Sequence, residues 1–267
     1  MEILSYNIMS GGFSDYKSEK RVPERLNFLV ETLKKIDADF VSLVDTHRWT
    51  EVFTSEDLKK LFGYKNVYMV KLEDERLKLK GHDNGLTVLT RLPVSKFETI
   101  RMFSRNAIKT SIKGVDIYTT YLDDISEDTR LVQINSLLSQ TVTGVPAIII
   151  GDLNTIDESD LVEARKQIEA MFVINPETKV MEPVLTEMMR GEVTKKIKSV
   201  GFIDMGIGKG KTTPSKLFPY KIDDPIIRLD YGFSTPEIKI ENFQVLRDKV
   251  YDQLSDHFPI KMRVKLG

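Results

Sequence analysis

Apolar residues along the chain fall into two alternating rhythms. "EILSYNI" is a short β-like run. "PERLNFLVETLKKI" then places Leu26, Leu29, Val30, Leu33 and Ile36 at helical spacing, with Pro23 in the first turn. "DFVSLV" is apolar and β-branched throughout, which predicts a strand buried on both faces. "SEDLKKLFG" predicts a short helix with Ser55 as N-cap and Gly63 just past its end. Strand signals follow at "YKNVYMV", "GLTVLT", "SKFETI", "AIKTSI" and "VDIYTTYL", and their short separations predict antiparallel meanders. "SEDTRLVQINSLLSQTV" predicts a helix capped by Ser126, "PAIIIG" a buried strand, and residues 157–200 a mostly helical stretch. Strands return at "PIIRLDYGF", "EIKIENFQVL" and "PIKMRVKL". With no repeat, low-complexity tract or Gly/Ser linker, residues 1–267 are expected to form a single α/β (α+β) domain with two sheets.

Composition narrows the chemistry. The chain has 39 Lys+Arg against 40 Asp+Glu, a net charge of −1, so it lacks the basic excess of a non-specific nucleic-acid binder. It contains no cysteine, so any metal must be held by oxygen or imidazole. The opening "MEILSYNIMS" does not have the form of a signal peptide, and "VPAIII" is too short to span a bilayer. A soluble, cytoplasmic protein is expected.

Polar residues cluster at the ends of the expected strands. Asn7 ends the first, Asp45 ends "FVSLV", Tyr121 closes "VDIYTTY", Asp152 and Asn154 follow "PAIIIG", and Asp256 and His257 precede the last. Alone, each has a structural explanation: turn formers at Asn7, Asp152 and Asn154, a cap at Asp45, packing at Tyr121, a surface pair of Asp230 with Arg228. Together their types suit one task. Asn7 and Asp45 offer hard oxygen atoms of the kind Mg²⁺ or Mn²⁺ prefers. Asp152 can polarise a water, Asn154 and Tyr121 can donate hydrogen bonds to a charged oxygen, and Asp230 can hold His257 protonated. Such a set suits water attack on a phosphoester.

"SYNIM", "GLTVLTRLPV", "TTYL", "GDLNT", "GFIDM", "RLDYGFST" and "SDHFPI" occur in this order from Asn7 to His257. Together they resemble the endonuclease/exonuclease/phosphatase family, with its DNase I-like fold. The resemblance implies a two-sheet β-sandwich flanked by helices. It implies a metal and phosphate site at Asn7, with Asp45 and Asp256 beside the metal. It makes Asp152 the residue that aligns or deprotonates the water, Asn154 its partner, and Asp230–His257 the acid–imidazole pair on a phosphate oxygen. Two departures are visible. The family's metal-ligand Glu is replaced by Asp45 in "LVDTHRW", and Tyr121 stands where many members carry His. The implied activity is divalent-metal-dependent phosphoester hydrolysis, with a nuclease on DNA or RNA as the first expectation. A phosphatase or phosphodiesterase on a small metabolite or lipid headgroup is the alternative, and a degenerate phospho-ligand binder is a third.

The remaining signals are weaker. His47, Arg48 and Trp49 follow Asp45, and Trp49 can serve as a stacking plate or as core. His82 in "KGHDNG" is expected in a solvated turn, and "KLEDERLKLKG" on a solvated hairpin or helix face. "GIGKGKTT" imitates a phosphate-binding P-loop, but Met205 stands where that motif needs glycine and Pro214 forbids the following helix. It is expected to be a mobile basic loop.

Overall fold

Strand β1 (Glu2–Asn7) shows how the pleat divides the core. Ile3 points between the two sheets, whereas Leu4 and Tyr6 point outward beneath a helix layer. The computed structural model describes residues 1–12, 23–79, 83–220 and 222–265. Helix α1 (Pro23–Ile36) follows, then β2 (Phe40–Val44), the short helix α2 (Trp49–Val52) and α3 (Ser55–Phe62). Next come β3 (Asn66–Lys71), α4 (Glu75–Leu79), β4 (Gly85–Thr90), β5 (Lys96–Met102), β6 (Arg105–Ile112) and β7 (Val115–Tyr121). Helix α5 (Glu127–Leu138) leads to β8 (Ala147–Asp152), followed by α6 (Leu161–Ile174), α7 (Glu182–Met188) and α8 (Glu192–Ser199). The chain closes with β9 (Ile203–Asp204), β10 (Asp230–Ser234), β11 (Lys239–Val245) and β12 (Ile260–Lys265).

These strands make two six-stranded mixed sheets, ordered β11-β12-β1-β2-β4-β3 and β5-β6-β7-β8-β10-β9. The sandwich with flanking helices is the expected DNase I-like architecture. Ile3, Phe40, Val88, Ile117, Ile148 and Ile150 fill the space between the sheets. Outside the first sheet, Leu26, Leu29 and Leu33 of α1 cover Leu4 and Leu43. Outside the second, Ile134 and Leu137 of α5 and Ile197 of α8 cover Tyr118 and Ile149. Strands β2 and β8 are thus buried on both faces, which explains their continuous apolar runs.

Several local expectations change. Thr54, not Ser55, caps α3: its hydroxyl accepts from the Asp57 amide while the Asp57 carboxylate takes the Thr54 amide. The expected run of antiparallel strands is split, because β3 and β4 pair in one sheet and β5, β6 and β7 in the other. The "PIIRLDYGF" strand starts only at Asp230, since the amides of Ile226 and Ile227 bond the Thr213 carbonyl instead. The charged run at 71–81 contributes the end of β3 and the short α4. His82 lies outside the described residues.

One edge of the sandwich gathers the polar strand ends. β1 runs parallel to β2, and β7 parallel to β8. β12 and β10 run against β1 and β8. The C-terminal ends of four strands therefore meet the N-terminal ends of two more.

Candidate active site

Register alone brings three of the residues into line. Asp152 at the end of β8 lies level with Tyr121 on β7 and with Asp230 on β10. Gly151 makes this approach possible. Its φ of 143° is costly for other residues, and a Cβ there would run into the Thr120 carbonyl oxygen of β7.

Asn7 crosses from the opposite sheet. Its side-chain Nδ2 donates to Asp152 Oδ2 at 2.9 Å, and its Oδ1 accepts the Met9 amide at 3.0 Å. The second contact fixes which end of the carboxamide faces Asp152. The other Asp152 oxygen accepts the Asn154 amide at 2.9 Å, while Asn154 Nδ2 bonds the Leu122 carbonyl at 3.0 Å. Asn154 holds this turn with a φ of 50°, a left-handed conformation that Asn tolerates better than most residues. His257 Nδ1 sits 2.8 Å from Asp230 Oδ2, and its Nε2 lies 3.9 Å from Asp152 Oδ2. Asn7, Asp152, Asp230 and His257 are all buried.

Burial and crowding set the protonation states. Burial pushes the Asp152 carboxyl up, with the Asp230 charge adding to it, while His257 and the hydrogen bonds from Asn154 and Asn7 pull against that rise. Burial alone would lower the His257 imidazole, but Asp230, Asp256 and Asp152 around it outweigh that cost and lift it to about 10. At neutral pH the ring is a cation, so Nδ1–H donates to Asp230. Tyr121 is held well above the ordinary phenol range by burial and by the charges of Asp45 and Asp152, against the pull of Arg105. It is a phenol O–H at any working pH.

Asp45 follows β2 in a left-handed conformation, φ 59°. Its Oδ2 accepts the Ser10 amide at 2.7 Å, and its Oδ1 is shielded from solvent with no hydrogen-bond partner. An unpartnered buried carboxylate oxygen is costly, and here burial and the nearby Asp256 charge raise the carboxyl's affinity for a proton or another cation. Hard oxygen ligands of this kind fit Mg²⁺ or Mn²⁺. Among the described residues a second cation-capable group exists: Asp152, Asp230 and His257 each place a ligand atom within 4.8 Å of the others. His257 already spends one nitrogen on Asp230 there.

The sequence missed how this edge is braced. Arg25, on α1, donates to the carbonyls of Ile8, Met9 and Leu254, tying the Asn7 loop to the segment before Asp256. Ser255 Oγ donates to the Asn7 carbonyl at 2.6 Å and accepts the His257 amide at 3.2 Å. Arg105 lies over the Tyr121 ring, 4.7 Å from its centroid, and bonds the Leu122 carbonyl. Nothing in the local patterns of these residues separates them from ordinary helix and strand positions. Trp49 is fully buried among α1 and α3 residues, with Nε1 donating to the Gly11 carbonyl at 2.8 Å, so it is core and not a stacking plate. His47 Nδ1 accepts the Asp83 amide, and Arg48 points to Glu51. Arg228 pairs with Asp160 and Asp204 rather than with Asp230.

The same architecture occurs in solved structures. An AP endonuclease from Archaeoglobus fulgidus superposes with a TM-score of 0.69 at 15% identity, covering 100% of both chains. A 3′ phosphatase from Neisseria, solved bound to a product DNA hairpin, gives 0.65 at 12% identity with 100% of both chains covered. A mannosyl-6-phosphatase from Bacteroides thetaiotaomicron gives 0.61 at 14% identity, again over 100% of both chains. At these identities the likeness carries the fold alone. No curated protein matches the sequence. The sequence model of the Endonuclease/Exonuclease/phosphatase family, however, matches residues 4–257, and the chain belongs to that family.

Proposed function

We propose that this protein is a divalent-metal-dependent phosphoesterase in which Asp152 positions and deprotonates the attacking water. One observation carries the reading: Asp152 is a buried carboxylate held by Asn7 and Asn154, with His257 Nε2 3.9 Å away and His257 itself anchored to Asp230. Burial raises its proton affinity toward that needed by a general base near neutral pH. His257, the Tyr121 hydroxyl and the Asn154 side-chain Nδ2, which spends only one of its two N–H groups on the Leu122 carbonyl, are the donors for phosphoryl oxygens, and fixed donors of this kind stabilise charge as it develops. Asn7 steers Asp152 through the hydrogen bond from its Nδ2. Asp45 and Asp256 would hold Mg²⁺ or Mn²⁺, which supplies charge neutralisation on the phosphate when bound.

For the substrate we propose a nucleic-acid phosphodiester, in keeping with one protein of the same fold being named an AP endonuclease and another being solved bound to a product DNA hairpin. A small phosphorylated metabolite or lipid headgroup is the second reading. It is favoured by the pairing of nearby cations: Arg76 and Arg105 are engaged by Asp74 and Asp124, and Arg76 by Asp123 as well. The test is an activity screen with Mg²⁺ and Mn²⁺ over abasic DNA, single-stranded nucleic acids and phosphomonoesters, repeated with chelator. Chelator-sensitive hydrolysis is expected, with Mn²⁺ binding visible by calorimetry and weakened in Asp45→Asn. A protein that binds no divalent ion and hydrolyses none of these would be the degenerate binder instead.

A further inference from the structure

The glycine- and lysine-rich run that imitates a P-loop ends in Thr212, Thr213, Pro214 and Ser215, and these residues are not loose. All of them are buried. Thr212 sits between the two segments that carry the acid–imidazole pair. Its hydroxyl accepts the Leu229 amide at 3.1 Å and the Asp230 amide at 3.2 Å. Its carbonyl accepts the amide of Phe258, the residue after His257, at 2.7 Å. Thr213 and Ser215 extend the clasp: the Thr213 hydroxyl and the Ser215 amide donate to the Asp256 carbonyl at 3.1 and 2.8 Å, and the Ser215 hydroxyl donates to the Ser255 carbonyl.

We infer that Thr212 is a positioning residue that sets the distance between Asp230 and His257, acting as a buried strap across the start of β10 and the turn before β12. The reasoning is geometric. Asp230 begins its strand, so its amide lies at the frayed end of the ladder and donates its hydrogen bond to a side chain, the Thr212 hydroxyl. His257 lies in a turn and has no ladder of its own. Thr212 joins the two through one hydroxyl and one carbonyl on the same residue, so neither side can shift without breaking a bond to it. The inference rests on the phosphoesterase reading only for its catalytic consequence; the structural consequence stands by itself.

The test compares Thr212→Val, which keeps shape and removes the acceptor, with Thr212→Ser, which keeps the hydroxyl. Thr194→Val serves as the control, since Thr194 is also fully buried but bonds the Gly191 carbonyl on α8's first turn. The first readout needs no substrate. With three histidines in the chain, the hydrogen-bonded Nδ1 proton of His257 can be followed by NMR and assigned with His257→Gln. The second is kcat and KM on bis-p-nitrophenyl phosphate with Mn²⁺. Thr212→Val is expected to shift or broaden the Nδ1 proton signal and to lower kcat by about 10-fold or more with KM little changed, as losses of outer-shell partners do. Thr212→Ser is expected to restore both. If Thr212→Val does not fold, Thr212→Ala is read against the same expectations. The proposal is overturned if the hydroxyl-free variant keeps the wild-type imidazole signal, if Thr212→Ser fails like it, or if Thr194→Val disturbs the signal equally. A wild type inactive on every phosphoester, with an imidazole signal that still responds to Thr212→Val, would sink the functional reading and leave the strap standing.

Discussion

A carboxylate buried against an amide and an imidazolium has to be held in one orientation to act on water. Asp152 meets that condition, because both of its oxygens accept a hydrogen bond and the cation of His257 lies 3.9 Å away. Removing the charge while keeping the shape isolates its role. Asp152→Asn and His257→Gln are each expected to lower kcat by about 10²-fold or more, the range for losing a general base or an oxyanion donor. Steady-state kinetics on whichever phosphoester the parent hydrolyses would check this, and wild-type turnover in either variant would remove that residue from the mechanism. Asp45 poses a different question. Its side chain is one carbon–carbon bond, roughly 1.5 Å, shorter than the glutamate usual in the family. The left-handed backbone at Asp45 and the Ser10 amide on Oδ2 fix where the free Oδ1 points. The replacement is thus accompanied by a defined orientation of the shorter acid.

Between elements, the loop after β8 is fastened to α8 by a second buried acid. Burial disfavours the Asp157 carboxylate, yet Lys198, the amide and hydroxyl of Ser159, and Thr194 hold it down to about 2. A depressed folded-state pKa stabilises the protein in full above the ordinary value of 3.8, and that stability is lost as pH falls through about 2. Asp157→Asn is therefore expected to cost on the order of 1–2 kcal/mol at pH 7. The gap from wild type should narrow on acidification below pH 3.8, measured by urea unfolding at several pH values. A gap that stayed constant would mean that packing, not charge, holds the loop. The elements themselves were legible where burial is regular. β2 and β8 announce themselves as unbroken apolar runs because both faces are covered, and α1 and α5 by their spacing. Which strands share a sheet was not legible, because the split between β4 and β5 depends on long-range packing. The order of polar strand ends gave Asn7, Asp152 and His257, and Asp230 followed from its pairing with the imidazole; the fold brings all four together. The strap at Thr212 was not legible in the sequence, because its partners are backbone amides, which leave no mark in side-chain pattern.

At the scale of the whole molecule, electrostatics bear on substrate. A protein that grips a polyanion through many phosphates shows unpaired cations along the track and loses affinity steeply in salt. Here the net charge is −1, and several cations among the described residues are bonded to acids. Arg76 and Arg105 share Asp74 and Asp124, Arg76 also meets Asp123, Arg190 meets Asp128, Glu187 and Glu192, and Lys71 meets Glu51 and Asp83. Breaking such pairs to free a cation for a phosphate returns little net attraction. If the substrate is nucleic acid, the protein is therefore expected to hold only the phosphates next to the scissile bond. The slope of log affinity against log salt for a short duplex should then be about −2 or shallower, which corresponds to roughly two phosphate contacts. Measuring KM between ~50 and ~200 mM salt, the range over which a protein with many contacts loses affinity by orders of magnitude, checks it directly. A slope several times steeper would show that cations outside the described site engage the backbone, and it would move the weight of recognition from the Asp152 cluster to the surrounding loops.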